Sequence, residues 1–223
     1  LETWKNKEGR KPLIMLGARQ VGKTSVLKRF GREQFDNCAY FSLDEEKGVC
    51  EIFRTTKNPI QIIEQLSFLT EEPILPQKTL LILDEIQDCP EAISAMKYFC
   101  EKTPEYAVVC AGSLLGLTFG HEGFSFPVGK VDHINMYPVT FSEFLEQKDA
   151  GLYRYYQSIN SVEPLPQVFF DRLSQAFTAY RISGGMPEAA MKMIEKDMKG
   201  METTLQNILQ DYTLDFVKHS SPL

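Results

Sequence analysis

The sequence predicts an α/β fold in three layers, with a parallel central sheet between two layers of helices, followed by a small all-helical region. Two observations predict the sheet: short apolar runs recur over the first 140 residues, and helical spacings of apolar residues lie between them. Continuous hydrophobicity is typical of strands that are buried on both faces, as in a parallel sheet. A third observation predicts the helical region, because only the helical spacing continues after about residue 140.

Five runs are predicted to form strands, and in chain order they are "PLIML" (12–16), "CAYFSL" (38–43), "TLLIL" (79–83), "YAVVCA" (106–111) and "KVDHINM" (130–136). Parallel strands need crossover connections, and three helices are predicted between them. Their apolar faces are Val26, Leu27 and Phe30, then Ile62, Ile63, Leu66 and Leu69, and then Ile93, Met96, Phe99 and Cys100. Pro90 suits the first turn of the third helix.

The change of pattern near residues 137–141 divides the chain into a core of residues 1–140 and a helical part of residues 141–223. Within the second part, "SGGMPE" (183–188) predicts a break between helices. Apolar residues at helical spacing on either side of that break are Phe170, Leu173, Phe177 and Tyr180, then Met201, Leu205, Leu209, Tyr212 and Phe216. The helical part is therefore expected to have a core of its own.

Composition excludes some classes of function. No apolar run reaches the roughly 20 residues that cross a bilayer, so no membrane partner is expected. The net charge of −6 argues against a strong nucleic-acid binder. Five cysteines without a CxxC pair indicate reduced thiols in a cytoplasmic protein, and the scattered histidines predict no zinc site. The opening "LETWKNKEGR" predicts a trimmed segment of an intracellular chain.

The loop after the first strand carries a phosphate-binding pattern. Residues 17–24 read GxxxxGKT, the Walker A motif, between a buried strand and an amphipathic helix. We expect the amide groups of the loop and the positive end of the helix to cradle phosphates. Lys23 is expected to reach the β- and γ-phosphates, and the Thr24 hydroxyl to ligate Mg²⁺. The predicted nucleotide-binding residues of this loop are Gly17, Ala18, Arg19, Gln20, Val21, Gly22, Lys23, Thr24 and Ser25. The predicted fold is thus a three-layer P-loop NTPase core.

Two carboxylates follow the third strand. Asp84 and Glu85 end "LLILDE" in the Walker B arrangement, in which a carboxylate at a strand's carboxyl end helps to hold Mg²⁺. Asp84 is the predicted metal residue, and Glu85 the predicted catalytic residue that orients the attacking water. A solvated turn is the alternative, which the Walker A motif makes less favourable.

A hydroxyl follows the fourth strand. "VVCAGS" ends in Ser113, which is predicted to hydrogen-bond the γ-phosphate or the lytic water if its strand lies beside those that carry the P-loop and Asp84. The alternative is a plain Gly-Ser turn.

Taken in order, "GARQVGKTS", "LLILDEIQD", "AGSLLG" and "SGGMPEA" resemble the AAA+ superfamily. More narrowly, they are similar to a prokaryotic family of predicted ATPases in which the AAA domain precedes a C-terminal domain of unknown function. "FPVGKVDHINMYPVTFSEFLE" resembles a strand and helix start of that family. The resemblance implies an AAA+ core followed by a small helical lid subdomain, which residues 141–223 fit, and a further C-terminal domain beyond it.

The resemblance also implies site residues in the lid. "GMP" at residues 185–187 matches an element near the nucleotide in related ATPases, which makes Pro187 a candidate nucleotide contact. A plain helix stop and start is the competing interpretation. Lys130 stands where many members carry arginine, and lysine lacks the planar fork of arginine. Arg181 is either a lid sensor or a surface residue.

The expected function is Mg²⁺-dependent binding and hydrolysis of ATP, with lid closure coupled to other domains or partners. The alternative is a switch or scaffold that binds ATP or ADP with negligible turnover. GTP is not favoured, because the guanine-reading Asn-Lys-x-Asp pattern is missing from the sequence. A small-molecule phosphotransferase is less favoured. AAA+ resemblance implies self-association or a protein partner.

Overall fold

The structure is a computed structural model that describes residues 1–70, 73–113 and 126–219. It has two units, and five parallel strands form the sheet of the first. The units are Leu1–Met136 and Tyr137–Leu223. The strands are β1 (Leu13–Gly17), β2 (Asn37–Ser42), β3 (Thr79–Asp84), β4 (Ala107–Gly112) and β5 (Asp132–Met136). Their order across the sheet is β2-β3-β4-β1-β5, and every neighbouring pair is parallel. The predicted α/β fold with a parallel central sheet is confirmed.

The helices of this unit are α1 (Glu2–Lys5), α2 (Lys23–Gln34), α3 (Lys47–Thr55), α4 (Pro59–Ser67) and α5 (Pro90–Lys102), with a short 3-10 turn at Ile86–Asp88. The three predicted helices correspond to α2, α4 and α5. Helix α3 was not predicted, although it buries Val49, Cys50 and Phe53. The prediction for Leu69 was wrong: α4 ends at Ser67, and Leu69 lies in the following turn with 57% of its surface exposed.

The sheet is covered on both faces, which explains the continuous apolar runs. Successive side chains of a strand point to opposite faces. Accordingly Leu81 and Leu83 of β3 pack with α3, α4 and α5, whereas Leu80 and Ile82 pack with α1 and α2. All six residues of β3 and of β4 are buried. Both strands therefore contribute side chains to two cores at once.

The carboxyl ends of the parallel strands meet at one edge of the sheet. This edge carries Gly17 at the end of β1, Asp84 at the end of β3 and Gly112 at the end of β4. Strand β4 lies between β1 and β3. Ligands of open α/β sheets bind outside this edge, so the strand order gathers the predicted site residues of the first unit there.

Among its described residues, the second unit contains helices joined by loops and no strand, as predicted. Its helices are α6 (Phe141–Lys148), α7 (Ala150–Ser158), α8 (Gln167–Ser183), α9 (Pro187–Ile194) and α10 (Met198–His219). The predicted apolar faces were partly wrong. Phe170, Phe177 and Leu209 are 53%, 47% and 68% exposed, whereas Ala176 and Ile208 are buried. The buried face of these helices is therefore shifted from the predicted one, to residues next to the large apolar side chains that the spacing singled out.

Over the part of the chain that the structure describes, no helix combines the length and the apolar character that crossing a bilayer requires.

Candidate nucleotide-binding site

The loop between β1 and α2 needs glycine at both ends. A Cβ added to Gly17 would lie 2.5 Å from the carbonyl oxygen of Met136 on the neighbouring strand β5. Gly22 has φ of +92°, a conformation that side chains with a Cβ rarely adopt. Any other residue at Gly17 would push β1 and β5 apart, and any other residue at Gly22 would be strained.

The shape of this loop suits an anion. Gln20 and Gly22 are both left-handed, with φ of 61° and 92°, and alternation of this kind turns successive N–H groups towards one centre. Val21 between them is buried and anchors the loop to the core. Gly22 is the N-cap of α2, and as a glycine it has no side chain of its own to cap that helix end. The first-turn amides and the positive helix end therefore face the loop, as phosphate binding requires.

Lys23 folds back over this loop. Its Nζ donates to the carbonyl oxygens of Gly17 at 3.0 Å and Ala18 at 2.9 Å, and the side chain is buried. Burial lowers the pKa of Lys23, and the nearby carboxylates of Glu85 and Asp84 oppose that effect. The ammonium group is thus held at the loop, and an anionic ligand there would offset the cost of burying it.

The Asp84 carboxylate joins the two motifs. Thr24 Oγ1 donates to Asp84 Oδ2 at 2.6 Å, although 60 residues separate the two. Tyr40 Oη donates to the same oxygen at 3.2 Å, and the Glu85 N–H donates to Oδ1 at 3.0 Å. Burial is the main cause that raises the pKa of Tyr40 to about 12, so its hydroxyl is a donor at neutral pH. A hydroxyl and a carboxylate in contact form a donor set of hard oxygens that fits Mg²⁺.

Glu85 stands at the entrance to the 3-10 turn in a left-handed conformation, with φ of 49° and ψ of 46°. Its Oε2 accepts a hydrogen bond of 2.5 Å from Gln87 Nε2. The Gln87 Oε1 atom is buried and has no partner among the described residues. A positive φ at a residue with a side chain is uncommon and concentrates at functional sites.

Ser113 follows β4, between the strands that carry the P-loop and Asp84. Its Oγ is buried and makes no hydrogen bond to any described residue. A buried hydroxyl without a partner is costly, which suits a group that a ligand satisfies.

Three further residues that the sequence singled out, Pro187, Lys130 and Arg181, lie outside the P-loop. Pro187 occupies the first turn of α9 in the second unit. Lys130 forms an ion pair of 2.9 Å with Glu101, which occupies its charge, and Arg181 is exposed near the end of α8. Ser25 and Ala18 lie at the exposed side of the P-loop.

Two neighbours of the site, Tyr40 and Gln87, were not predicted. The sequence offered a signal for Gln87, because it lies two residues after Glu85 in "DEIQD". It offered none for Tyr40, since only the pairing of β2 with β3 brings that residue to Asp84.

The sheet, the glycine-bounded loop and the joined motifs define an α/β protein with a P-loop nucleotide-binding core. The AAA domain family matches residues 9–145. The chain therefore belongs to that family, whose fold binds ATP, and the predicted AAA+ membership is confirmed.

Similar folds occur in solved structures. Drosophila ORC bound to DNA matches with 12% identity and a TM-score of 0.47, over 95% of this chain and 63% of that one. C. elegans PCH-2 matches with 11% identity and a TM-score of 0.41, over 92% and 65%. The replication initiator DnaA, bound to AMPPCP and single-stranded DNA, matches with 16% identity and a TM-score of 0.46, over 97% and 65%. The chain thus spans less than two thirds of each of these chains. No curated protein matches it significantly.

Proposed function

We propose that this chain binds ATP together with Mg²⁺ and hydrolyses the β–γ phosphate bond. The observation that carries the proposal is the 2.6 Å contact between Thr24 and Asp84, which unites the hydroxyl of one motif with the carboxylate of the other beside Lys23. Each group alone has a structural explanation. Their convergence at the carboxyl edge of a parallel sheet is typical of a site for a metal-bound nucleotide.

Each residue has a role in this proposal. The amides of residues 18–25 and the Lys23 ammonium bind the phosphates, while Thr24 and Asp84 hold Mg²⁺. The metal, when bound, supplies positive charge next to the phosphates. Glu85 orients the attacking water and accepts its hydrogen bond, and Ser113 donates to the γ-phosphate or to that water.

The proposal extends to the second unit and to partners. Closure of residues 141–223 over the nucleotide, with Pro187 as a contact, would transmit the state of the site to other domains or subunits. The conformational change would be transmitted to another copy of this chain, through self-association, or to a protein partner. Five free cysteines suit a cytoplasmic, reducing location.

Nucleic acid is not proposed as a partner. The net charge is −6, and the basic side chains near the amino terminus bind within the chain. Lys7 pairs with Asp132 at 2.7 Å, and Lys11 donates to the Gly129 carbonyl at 2.7 Å. Such cations contribute little to a surface for phosphates.

A nucleotide-dependent switch with negligible turnover is the second candidate. The hydrogen bond from Gln87 to Glu85 favours it, because a carboxylate that is already occupied is less available to water. Both candidates need nucleotide binding, and they differ in the rate of phosphate release.

Substitution of Lys23 by alanine tests binding. We expect Lys23→Ala to weaken ATP binding in equilibrium dialysis at least about tenfold, because a hydrogen bond to a charged group contributes about 1.5–3 kcal/mol. Arg29→Ala is the matched control, since Arg29 lies on the same helix with its side chain 69% exposed. The proposal fails if the folded wild type takes up no ATP, or if Lys23→Ala takes up the same amount.

A further inference from the structure

Tyr40 lies within hydrogen-bonding distance of the proposed metal site, on a strand that belongs to neither nucleotide-binding motif. It pairs in register with Ile82 of β3, two positions before the pair of Ser42 and Asp84. Its hydroxyl donates to Asp84 Oδ2 at 3.2 Å. The parallel register of β2 and β3 therefore places the Tyr40 hydroxyl next to the Asp84 carboxylate.

The ring of Tyr40 is also fixed by contacts of its own. The Nζ of Lys28, one turn beyond Thr24 on α2, lies 3.4 Å from the ring centroid. The ring also packs against the core on the α2 side of the sheet. A cation is attracted to the face of an aromatic ring, so Lys28 of α2 helps to fix where the hydroxyl points.

Three donors orient the Asp84 carboxylate, and they differ in origin. The Glu85 N–H holds Oδ1, while Thr24 and Tyr40 share Oδ2. Thr24 is itself a proposed metal ligand, and Glu85 follows Asp84 directly. Tyr40 is the donor from a separate strand, so its bond restrains rotation of the carboxylate independently of the P-loop.

We infer that Tyr40 is a positioning residue for the metal end of the site, whose hydroxyl orients Asp84 towards the Thr24 oxygen. This inference rests on the proposed function. Hydrogen bonds to the ligands of a metal set their orientation, and their loss typically weakens metal binding about 10- to 100-fold. Removal of the Tyr40 hydroxyl should weaken only metal-dependent binding. The hydroxyl donates to Asp84 and the ring lies against Lys28, and neither residue is proposed to hold the phosphates.

The test compares ATP affinity with and without metal in Tyr40→Phe, which keeps the ring under Lys28 and removes only the hydroxyl. Binding of a fluorescent ATP analogue is measured in EDTA and then in excess Mg²⁺. The readout is the dissociation constant in EDTA divided by the dissociation constant in Mg²⁺. We expect that ratio to fall about tenfold or more in Tyr40→Phe. Affinity in EDTA should change less than twofold.

Tyr98→Phe is the matched control. Tyr98 also has a lysine over its ring, with Lys102 Nζ at 5.5 Å from the centroid, but in the described chain its hydroxyl binds no carboxylate. The control should match the wild-type ratio.

The outcomes separate the inference from the proposed function. A wild type that binds no analogue, or binds it without any effect of Mg²⁺, would refute the proposed function. A wild type with a metal effect and an unchanged ratio in Tyr40→Phe would overturn the inference alone. Equal losses in EDTA and in Mg²⁺, or a variant that does not fold, would assign the hydroxyl a structural role and overturn it as well.

Discussion

Glu85, the residue proposed to orient the attacking water, has a strained backbone. Its left-handed backbone costs of the order of 1–3 kcal/mol, and the buried turn that contains Ile86 holds it in place. That conformation presents the side chain to Gln87 rather than along the strand. The hydrogen bond from Gln87 uses one of the two carboxylate oxygens, so in the proposed mechanism Glu85 would still have acceptor capacity for water.

Glu85→Gln separates hydrolysis from a slow switch. We expect phosphate release to fall about 100-fold or more, because a general base contributes 10²–10⁴-fold, while ATP affinity stays near that of the wild type. Phosphate release under saturating Mg²⁺-ATP measures the rate. Glu91→Gln, a substitution at a carboxylate on α5 that pairs with Arg54, is the control. An unchanged rate would remove Glu85 from the mechanism, and a wild-type rate near zero would favour the switch.

At the scale of the elements, the break between α8 and α9 has a structural explanation. Gly184 has φ of +66°, and a Cβ on Gly185 would lie 2.5 Å from the Val139 carbonyl oxygen. The Val139 N–H donates to the Gly185 carbonyl at 2.7 Å, and Tyr180 Oη donates to the Val139 carbonyl at 2.9 Å. Gly184 therefore allows the turn, and Gly185 allows close packing inside the second unit. A nucleotide contact at Pro187 stays a prediction.

Asp149 sets the start of α7 and gives a pH-dependent test of the second unit. Its Oδ1 accepts from the Leu152 N–H at 3.0 Å, and its Oδ2 accepts from Arg172 at 2.5 Å. The Leu152 N–H is the main cause that lowers the pKa of Asp149, and Arg172 adds to it. Because the folded pKa is lowered, the stabilisation is present above the ordinary value near 3.8 and is lost as the pH falls through the folded pKa.

We expect Asp149→Ala to lower the free energy of unfolding by about 1 kcal/mol at pH 7, the usual cost of losing an N-cap. Asp149→Asn should cost less, because its amide oxygen still caps the helix. The loss of unfolding free energy in Asp149→Asn should shrink in urea unfolding at about pH 3, below the ordinary value of 3.8, because the unfolded wild type then binds a proton that the folded state resists. Asp171→Asn, an exposed substitution on α8, is the control. A deficit independent of pH would show that the charge contributes nothing.

At the scale of the whole molecule, the chain consists of two units with separate cores. The first buries both faces of a sheet, and the second buries Phe144, Ala189, Ala190, Met193 and Met201. Domains with separate cores move relative to one another unless a large apolar interface joins them. The proposed lid closure would require motion of this kind.

Hydrogen exchange tests this coupling. With Mg²⁺-ATP we expect slower amide exchange in residues 17–25 of the P-loop and also in residues 183–188 of the second unit, because a closed lid orders both. Mass spectrometry of peptides from the two segments measures it, with ADP and Lys23→Ala as controls. Protection of the P-loop alone would contradict lid closure while leaving nucleotide binding intact.

Local sequence determined much of this protein. The strand runs, the helix spacings and the two motifs predicted the sheet and identified Lys23, Thr24 and Asp84 as candidates, because burial and phosphate chemistry impose patterns on short stretches. Helix α3 was not predicted, although Val49, Cys50 and Phe53 stand at helical spacing, because it is only nine residues long and follows the charged run "DEEK".

Only the tertiary structure decided which distant residues meet. The order β2-β3-β4-β1-β5 places Tyr40 beside Asp84 and puts Ser113 after the strand between β1 and β3. A run of apolar residues indicates that a strand is buried but not which strand lies next to it. Strand neighbours are selected by how the two cores pack on opposite faces of the sheet, a property of the whole chain that no short segment contains.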